Sequence, residues 1–394
     1  MNPIPGLRHA HLVDMTMFYA ADGGGVRTYL DAKARWIGAQ PGLRHSVVAP
    51  ASGIRSSSRP HEGNGGNIAV PSLPITIAGR YRVVRSVASA ARRTRAIAPS
   101  LIEVGDPFQF AWAALRVKRS QGIPIVAYYH SDISTILQRR FGAFAGQAAV
   151  RYLKSVYQEF DLVLAPSRGT AQFLREKGID SVLHQPLGVD TNVFHPRHRQ
   201  ADLRQQLGLA PDTRLLVYAG RFTPEKKLAH LFDAVRALGA PYHLLLIGNG
   251  TPPPVSPQIS HLPFQRCGQT LSGLIGGCDL LVHPGDQETF GLVVLEAMAS
   301  GVPVLGVASG GVAELVNPHN GMLVAPGSSS ALREGIDLLF RQDLRRLGRQ
   351  ARDSVVGRYD WNVIFPQLLR QYGHLLSSRR SLHPDACLAF DHEL

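Results

Sequence analysis

Two carboxylates eight positions apart, Glu288 and Glu296, are the residues best placed to do chemistry in this chain. They bound the run Glu-Thr-Phe-Gly-Leu-Val-Val-Leu-Glu, between the apolar strand-like segment Leu280–Pro284 and a predicted helix over Thr289–Ser300. Open α/β sheets bind ligands at the carboxyl ends of their strands, beside the helix N-termini. Carboxylates at such a position can accept hydrogen bonds from the hydroxyl groups of a sugar or a ribose.

A cationic segment, Gly220-Arg-Phe-Thr-Pro-Glu-Lys226, follows a second predicted strand, Leu215–Ala219. Arg221 and Lys226 can both project from this one strand-end loop. Two fixed cations there would neutralise a diphosphate, and an arginine can do so through two parallel hydrogen bonds. Taken alone, the segment is better explained as a solvated basic loop, but the two carboxylates in the same half of the chain favour a binding site.

His130 closes the predicted strand Pro124–Tyr129 and therefore lies at the edge of a sheet where ligands bind. Its imidazole could hydrogen-bond a sugar hydroxyl or assist bond breaking, although a lone histidine is more often structural. Asp132, two positions later, could orient His130, bind an acceptor or cap the segment that follows it.

Glycine-rich turns follow three further strand-like segments: Gly23-Gly-Gly25, Gly248-Asn-Gly250 and Ser309-Gly-Gly-Val-Ala-Glu314. Glycines at a strand-to-helix turn let backbone N–H groups approach a phosphate or a sugar, yet a plain tight turn explains them about as well. Neither the dinucleotide pattern GxGxxG nor a Walker A sequence is present, so the motifs do not favour a dehydrogenase or a P-loop ATPase.

Short apolar strands alternate with helical segments along the whole chain, which predicts parallel sheets covered by helices. The 394 residues exceed one ordinary core, and a boundary is expected near Pro186–Pro196. Within the first half, residues 51–68 predict a loop, Ile75–Ile77 a strand-like piece and Tyr81–Ile97 a basic helix. A loop is expected at Pro252–Pro254, and an amphipathic helix over Trp361–Leu376.

The net charge of +13 is confined to the first half, since residues 1–200 hold 25 Lys/Arg against 12 Asp/Glu. Such a field favours an anionic partner, such as a phospholipid surface, an anionic acceptor or nucleic acid, and a solubility surface is the alternative. Three scattered cysteines and no signal-like or membrane-spanning run predict a cytoplasmic protein.

Taken together, these segments resemble the family-4 retaining glycosyltransferases. The similarity implies the GT-B fold, an α/β architecture of two Rossmann-like doubly wound domains that face a cleft. It assigns residues 1–190 to an acceptor-binding domain, 191–360 to a nucleotide-sugar-binding domain, and 361–394 to a helix and tail that cross back to the first domain. The Glu–x7–Glu run with its Phe-Gly carries most of this resemblance.

The resemblance also implies a role for each residue. Glu288 would contact the donor sugar, Glu296 the ribose, and Arg221 and Lys226 the departing diphosphate, with His130 near the reacting sugar. The remaining expected donor contacts are Gly24, Gly25, Gly248 and the backbone of Phe290, Gly291 and Leu292, and Asp132 is an acceptor candidate. If both glutamates were helical, about 12 Å of rise would separate them, too far for a hydrolase pair.

The expected reaction is hexose transfer from a GDP- or UDP-sugar, with retention and without a metal or other cofactor. The stretch Tyr128–Asp132 is similar to a motif of bacterial lipid mannosyltransferases and sulfolipid synthases. With the basic Tyr81–Ile97 segment and Arg139-Arg140 it indicates a lipid-linked or anionic acceptor at the inner membrane face, and a polysaccharide acceptor is also expected. GDP-mannose is the first choice of donor, followed by UDP-glucose or UDP-GlcNAc. An epimerase or a phosphorylase on the same fold is the alternative enzyme. A basic nucleic-acid-binding module is the non-enzymatic alternative, but it leaves the carboxylates unexplained and no nucleic-acid motif supports it.

Overall fold

The computed structural model describes residues 7–19, 24–51, 66–74, 82–251 and 255–382, with side chains to residue 378. Several predicted features lie outside these residues: Gly23, residues 52–65 of the loop predicted over 51–68, Ile75–Ile77, Pro252–Pro254 and the tail after residue 382. The chain divides into two compact units. Unit 1 holds the described residues of Met1–Ala165, Ala171–Gln185 and Ile364–Leu394, and unit 2 those of Pro166–Thr170 and Pro186–Val363.

Unit 1 is built on a seven-stranded, all-parallel sheet of order β3-β2-β1-β6-β7-β8-β9, beside a short antiparallel pair, β4-β5. Its strands are β1 His11–Met15, β2 Arg44–Pro50, β3 Asn67–Val70, β4 Ser72–Pro74, β5 Arg82–Val84, β6 Leu101–Val104, β7 Ile125–Tyr128, β8 Leu162–Ala165 and β9 Val182–His184. Six helices join them: α1 Gly25–Gly38, α2 Val87–Arg95, α3 Gln109–Gln121, α4 Ile133–Phe141, α5 Ala143–Tyr157 and α6 Arg168–Glu176, of which the residues up to Thr170 belong to unit 2.

The central strands β1, β6 and β7 are buried at every residue, as expected of a parallel sheet with both faces covered. The strand order reverses between β1 and β6. Such a reversal opens a crevice at the carboxyl ends of the strands, where α/β sheets bind ligands.

The prediction of one basic helix over Tyr81–Ile97 is wrong at its start. Arg82–Val84 forms β5 and pairs with β4, because β-branched residues suit a strand. The helix begins only at Val87, after Ser86 accepts a hydrogen bond from the backbone N–H of Ser89 at 3.2 Å.

Unit 2 holds a six-stranded parallel sheet of order β12-β11-β10-β13-β14-β15, so its order reverses between β10 and β13. Its strands are β10 Arg214–Ala219, β11 Tyr242–Ile247, β12 Ile259–Leu262, β13 Leu280–His283, β14 Val304–Val307 and β15 Gly321–Val324. The helices after α6 are α7 Leu203–Gln206, α8 Leu228–Leu238, α9 Gly268–Gly276, α10 Leu292–Ala299, α11 Val312–Leu315, α12 Ser329–Phe340, α13 Leu344–Tyr359 and α14 Trp361–Leu382.

The last helix, α14, starts in unit 2 but belongs to unit 1 from Ile364 onwards. It runs beyond the predicted end at Leu376. Its Phe365 ring lies 6.2 Å from the ring of Tyr29 on α1, and Tyr372 is fully buried. Among the residues that the structure describes, no helix is long and apolar enough to cross a membrane.

Tyr372 completes a buried charged cluster inside unit 1. The Lys33 ammonium donates to Asp14 Oδ1 at 2.8 Å and to the Tyr372 hydroxyl at 3.0 Å, and lies 3.2 Å from Glu103 Oε2. Tyr372 in turn donates to Glu103, and His45 pairs with the second oxygen of Asp14. Burial acts to raise the pKa of Asp14, but Lys33 and His45 hold that pKa well below its usual range, while burial raises the pKa of Glu103 to about 7.

Candidate active site

Glu288, Lys226 and His283 meet at the point where the strand order of unit 2 reverses. Lys226 ends a short 3₁₀ turn, Pro224–Lys226, in the loop after β10, and Glu288 lies in the loop after the neighbouring β13. The Lys226 ammonium pairs with Glu288 Oε1, and Nε2 of His283 lies 3.3 Å from the same oxygen. The two predicted residues are therefore in direct contact at the edge where the sheet binds ligands.

The charge of the Glu288 carboxylate is stabilised despite its burial. Desolvation acts to raise the pKa of Glu288, but the Lys226 ammonium and the His283 ring together hold the pKa well below its usual range. The carboxylate is thus ionised at neutral pH and can only accept hydrogen bonds, as the hydroxyls of a sugar require. Lys226 carries three N–H donors, so its pairing with Glu288 leaves donors for a phosphate.

Arg221 lies in the same loop as Lys226, with a more open side chain. Its side chain is 49% exposed, and its guanidinium is 3.8 Å from the carboxylate of Glu225. The backbone oxygen of Arg221 accepts a hydrogen bond from the Tyr218 hydroxyl at 2.9 Å, which fixes the loop while leaving the guanidinium at the surface. The loop therefore presents one half-buried and one exposed cation.

Glycines hold this loop against the next one. A Cβ on Gly248 would lie 1.8 Å from the backbone oxygen of Gly220, so only glycine fits there. The backbone N–H of Phe222 donates to the Asn249 oxygen at 2.9 Å, and Thr251 N–H donates back to the Phe222 oxygen at 3.1 Å. The packing observed for Gly248 is thus with the Arg221 loop, and its expected contact with a donor stays a prediction.

The predicted helix over Thr289–Ser300 is wrong at its start, because α10 begins at Leu292. Gly291 caps it with φ +101°, a conformation that side chains rarely adopt. Glu288 therefore lies in the loop and Glu296 in the helix, and the rise expected between two helical glutamates does not apply. The buried ring of Phe290 lies 6.1 Å from the ring of Tyr359, which anchors the loop.

The glycine turn at Ser309–Gly311 supports the Glu288 loop through its backbone. The N–H of Gly311 donates to the backbone carbonyl oxygen of Glu288 at 2.8 Å, and a Cβ on Gly310 would lie 2.3 Å from that same backbone oxygen. The carboxylate of Glu314 accepts hydrogen bonds from the N–H groups of Arg168 and Gly169 at 2.9 and 2.7 Å. Close packing and helix capping are therefore the observed roles of this turn.

Glu296, in the second turn of α10, contrasts with Glu288. Burial raises the pKa of Glu296 to about 7. Within the described part of the chain, its carboxylate has neither a hydrogen bond nor an ion pair to a side chain. A partly exposed carboxylate in this state is suited to accept hydrogen bonds from a ligand, as predicted for the ribose hydroxyls.

In unit 1, His130 lies at the carboxyl end of β7, as predicted. Its ring stacks on that of Tyr128 at 4.5 Å with an interplanar angle of 8°, and Tyr29 lies 5.6 Å away. A Cβ on Gly105, at the end of β6, would approach the His130 ring to 3.3 Å. Burial lowers the pKa of His130 to about 3, so the ring is neutral at physiological pH and suited to hydrogen bonding, not to carrying a proton.

The other predicted residues of unit 1 lie at helix starts. Gly24 has φ +122° and caps α1, which begins at Gly25, and the first N–H groups of an α-helix have no acceptor within the helix. Asp132 caps α4: its Oδ1 accepts hydrogen bonds from the Thr135 N–H at 3.0 Å, the Ser134 hydroxyl at 2.6 Å and the Tyr129 hydroxyl at 3.1 Å. Capping is thus the observed role of Asp132, and acceptor binding stays a prediction.

His283 is the site residue that the sequence reasoning missed. Its side chain is 2% exposed, and its Nδ1 is buried without a hydrogen-bond partner among the described residues. Its position in the sequence could have identified it, because it is a histidine at the end of an otherwise apolar strand, five residues before Glu288. Because the carboxyl ends of parallel strands meet at one edge of the sheet, a polar residue at such an end is a site candidate in the same way as His130.

Comparison with known proteins adds to this geometry. Residues 23–193 match the model of Glycosyltransferase Family 4, and residues 199–354 match that of Glycosyl transferases group 1. A GDP-mannose-dependent alpha-mannosyltransferase of Mycolicibacterium smegmatis is 32% identical over 295 residues, which cover 73% of this chain and 76% of the relative.

Two further matches cover almost the whole chain. A GDP-mannose-dependent alpha-(1-6)-phosphatidylinositol dimannoside mannosyltransferase of Mycobacterium tuberculosis is 28% identical over 396 residues, covering 94% of this chain and 97% of the relative. The sucrose-phosphate synthase structure from Thermosynechococcus elongatus has a TM-score of 0.77 at 21% identity, covering 93% and 100%. The two Rossmann-like sheets, each of parallel strands, agree with these matches, as does the Glu288–Lys226 site. The chain belongs to the family-4, group 1 glycosyltransferases of the GT-B fold.

Proposed function

We propose that this nucleotide-sugar-dependent glycosyltransferase transfers mannose from GDP-mannose, with retention, to a lipid-linked or polysaccharide acceptor of the bacterial envelope. The observation that carries the proposal is the contact of Glu288 with Lys226 and His283 where the unit 2 sheet order reverses. The names of two relatives, both GDP-mannose-dependent, support the donor, and the phosphatidylinositol dimannoside named for one of them supports a lipid acceptor.

The donor contacts follow from the charges of these residues. Glu288, held ionised, accepts hydrogen bonds from the sugar hydroxyls, and Glu296 accepts those of the ribose. Lys226 and Arg221 bind the diphosphate, which gains negative charge as it leaves, so their effect grows in the transition state. The backbone N–H groups at the start of α10 add to this positive field.

Retention follows from attack on the face that the leaving group vacates. The bond between the anomeric carbon and the diphosphate oxygen breaks, the acceptor oxygen bonds to the same carbon, and the acceptor proton passes to the departing phosphate oxygen. Neutral His130 hydrogen-bonds the reacting sugar. The two cations supply the charge stabilisation, so the proposed reaction needs no metal.

A thermal-shift comparison of GDP, UDP and ADP tests the base. A nucleotide that binds only the folded protein raises its stability by RT ln(1 + [L]/Kd), so GDP should give the largest shift. A larger shift with UDP would overturn the choice of GDP. Turnover with GDP-mannose, UDP-glucose and UDP-GlcNAc then tests the sugar, and the anomeric configuration of the product, read by NMR, tests retention.

The cationic first half favours peripheral contact with the anionic inner face of the cytoplasmic membrane, where a lipid-linked acceptor would be found.

A further inference from the structure

Helices α4 and α5 form a hairpin whose corner exposes aromatic side chains. Gly142 joins the helices, and Phe141 and Phe144 on either side of it are 63% and 79% exposed. Ile136, earlier on α4, is 48% exposed. No other nine-residue stretch of the described chain contains three exposed large hydrophobic residues. Solvent exposure of two phenylalanines at one corner is unfavourable unless another phase or molecule covers them.

The charge of the hairpin is of one sign. Residues 133–158 contain Arg139, Arg140, Arg151 and Lys154 and no Asp or Glu. All four cations are exposed, and the guanidinium of Arg140 lies 5.5 Å from the centre of the Phe141 ring. Aromatic residues beside arginines suit the boundary between lipid headgroups and acyl chains, where the ring is buried and the cation meets phosphate.

The hairpin is rigid enough to present this corner as a fixed surface. A Cβ on Gly146 would lie 2.6 Å from Cβ of Gln138, so the two helices approach closely at a glycine. The start of α4 is fixed by Asp132, whose carboxylate caps it. The corner is therefore held at the far end of a nine-residue helix, about 14 Å long, that starts beside His130.

We propose that the corner formed by Ile136, Arg139, Arg140, Phe141 and Phe144 inserts into an anionic lipid surface. The occupant is a lipid bilayer because the exposed apolar side chains are few and adjoin the exposed Arg139 and Arg140, whereas a protein partner would need a broader complementary face. This inference rests on the proposed function. With the corner inserted, only the length of α4 separates the carboxyl edge of the unit 1 sheet from an acceptor in the membrane.

Vesicle sedimentation tests the proposal with the full chain. Vesicles of equal parts phosphatidylglycerol and phosphatidylcholine should bind the protein, and vesicles of phosphatidylcholine alone should bind it much less. The double variant Phe141→Ser/Phe144→Ser should weaken binding at least about tenfold, because the buried aromatic area is lost. The matched control is Leu338→Ser/Val356→Ser, two exposed hydrophobic residues of unit 2, which should leave binding unchanged.

The charge contribution has its own matched pair of variants. Arg139→Gln/Arg140→Gln should weaken binding about fivefold per arginine at low salt, whereas the adjacent exposed pair Arg345→Gln/Arg346→Gln on α13 should have no such effect. Brominated lipids should quench the tryptophan fluorescence of the Phe144→Trp variant more strongly than that of the wild-type protein. Unchanged sedimentation of the Phe141→Ser/Phe144→Ser protein, or absence of this quenching, would overturn the proposal.

Two further readouts separate this inference from the proposed function. Nucleotide thermal shifts should be the same in the Phe141→Ser/Phe144→Ser protein and the wild type, so loss of vesicle binding with retained GDP binding supports the inference. A protein that binds no nucleotide but still binds anionic vesicles would reject the proposed function alone. A change in oligomeric state caused by the serine variants, without a change in vesicle binding, would identify the corner as a contact between copies and reject the membrane.

Discussion

Each unit contains a lysine, a carboxylate and a histidine in one cluster, but the two clusters differ in solvent exposure and in how many of their polar groups are already hydrogen-bonded. In unit 1, Lys33 and Asp14 are at most 3% exposed, and the three donors of the Lys33 ammonium are matched by Asp14, Glu103 and Tyr372. In unit 2, Lys226 and Glu288 are 17% and 20% exposed. A cluster whose polar groups are already satisfied stabilises the fold, whereas one that keeps donors and exposure can bind a ligand.

The pKa shifts show the same difference. In unit 1, burial raises the pKa of Glu103 to about 7 while Lys33 holds that of Asp14 low, so two carboxylates share one ammonium. In unit 2, Glu288 has Lys226 and His283 to itself, and its charge is assured at neutral pH. In the unit 1 cluster one ammonium thus serves two carboxyl groups, and only the pKa of Asp14 is held low. In the unit 2 site both partners stabilise the charge of one carboxylate, Glu288.

The largest expected effect is on stability, from Lys33→Met. The change leaves the buried carboxylates of Asp14 and Glu103 without their cation, which costs about 3–5 kcal/mol of the free energy of unfolding. Denaturant unfolding followed by circular dichroism measures it. The comparison variant Lys226→Met, at a more open pair, should cost far less, and equal losses would remove the distinction between the two clusters.

The next effect is on turnover, from Lys226→Met. Removing a cation that stabilises the leaving diphosphate should lower kcat by about 10²–10³-fold while the protein stays folded. Steady-state kinetics with GDP-mannose measures this loss. Lys227→Met, the adjacent lysine on the same loop, is the matched control and should keep kcat within a few-fold of wild type; full activity of the Lys226 variant would show that the site is assigned wrongly.

A smaller change is expected from His283→Leu, which removes one of the two groups that hold the pKa of Glu288 low. That pKa should rise, so the acid side of the pH profile of kcat/KM should move to higher pH. The expected cost at neutral pH is about tenfold, the value of one hydrogen bond to a charged group. His283→Gln, which keeps a donor, should restore part of the activity, and an unchanged pH profile would limit His283 to packing.

The smallest effect concerns Glu296, whose pKa is raised to about 7 by burial. Because the ionised form is the better acceptor for ribose hydroxyls, GDP affinity should increase as the pH rises through about 7. The Kd measured by calorimetry should lose this pH dependence in Glu296→Gln. For stability the sign is reversed: a raised folded-state pKa stabilises below the unfolded value of 4.5 and loses that contribution as the pH rises through about 7.

Local patterns predicted the strands best. The predicted strands Pro124–Tyr129, Leu215–Ala219 and Leu280–Pro284 differ from the observed β7, β10 and β13 by at most one residue at either end, because a strand buried on both faces forms a continuous apolar run. The carboxyl-edge placement of His130 and Glu288 followed from this pattern. Helix starts were predicted less well, because each depends on a single capping residue. With Gly291 and Ser86 as caps, α10 and α2 both begin later in the sequence than predicted.

Contacts between distant residues could not be predicted in this way. Glu314 caps a helix 145 residues earlier, and Lys33 meets Tyr372 across 339 residues. Neither pairing leaves a periodic or spaced pattern, because side chains that meet through the fold need not be related in sequence. The partnership of His283 with Glu288 was also missed, since its evidence is the shared sheet edge and not a motif.

The position of Tyr372 has a consequence for the order in which the protein is completed during synthesis. Its hydroxyl belongs to a cluster with Asp14, Tyr29, Lys33, His45 and Glu103, all of which leave the ribosome early. The lysine and the two carboxylates of this cluster therefore lack one of their partners until α14 has been translated, and unit 1 cannot complete its fold before then. Unit 2, almost continuous in sequence, can acquire its core before the first unit of the chain is finished.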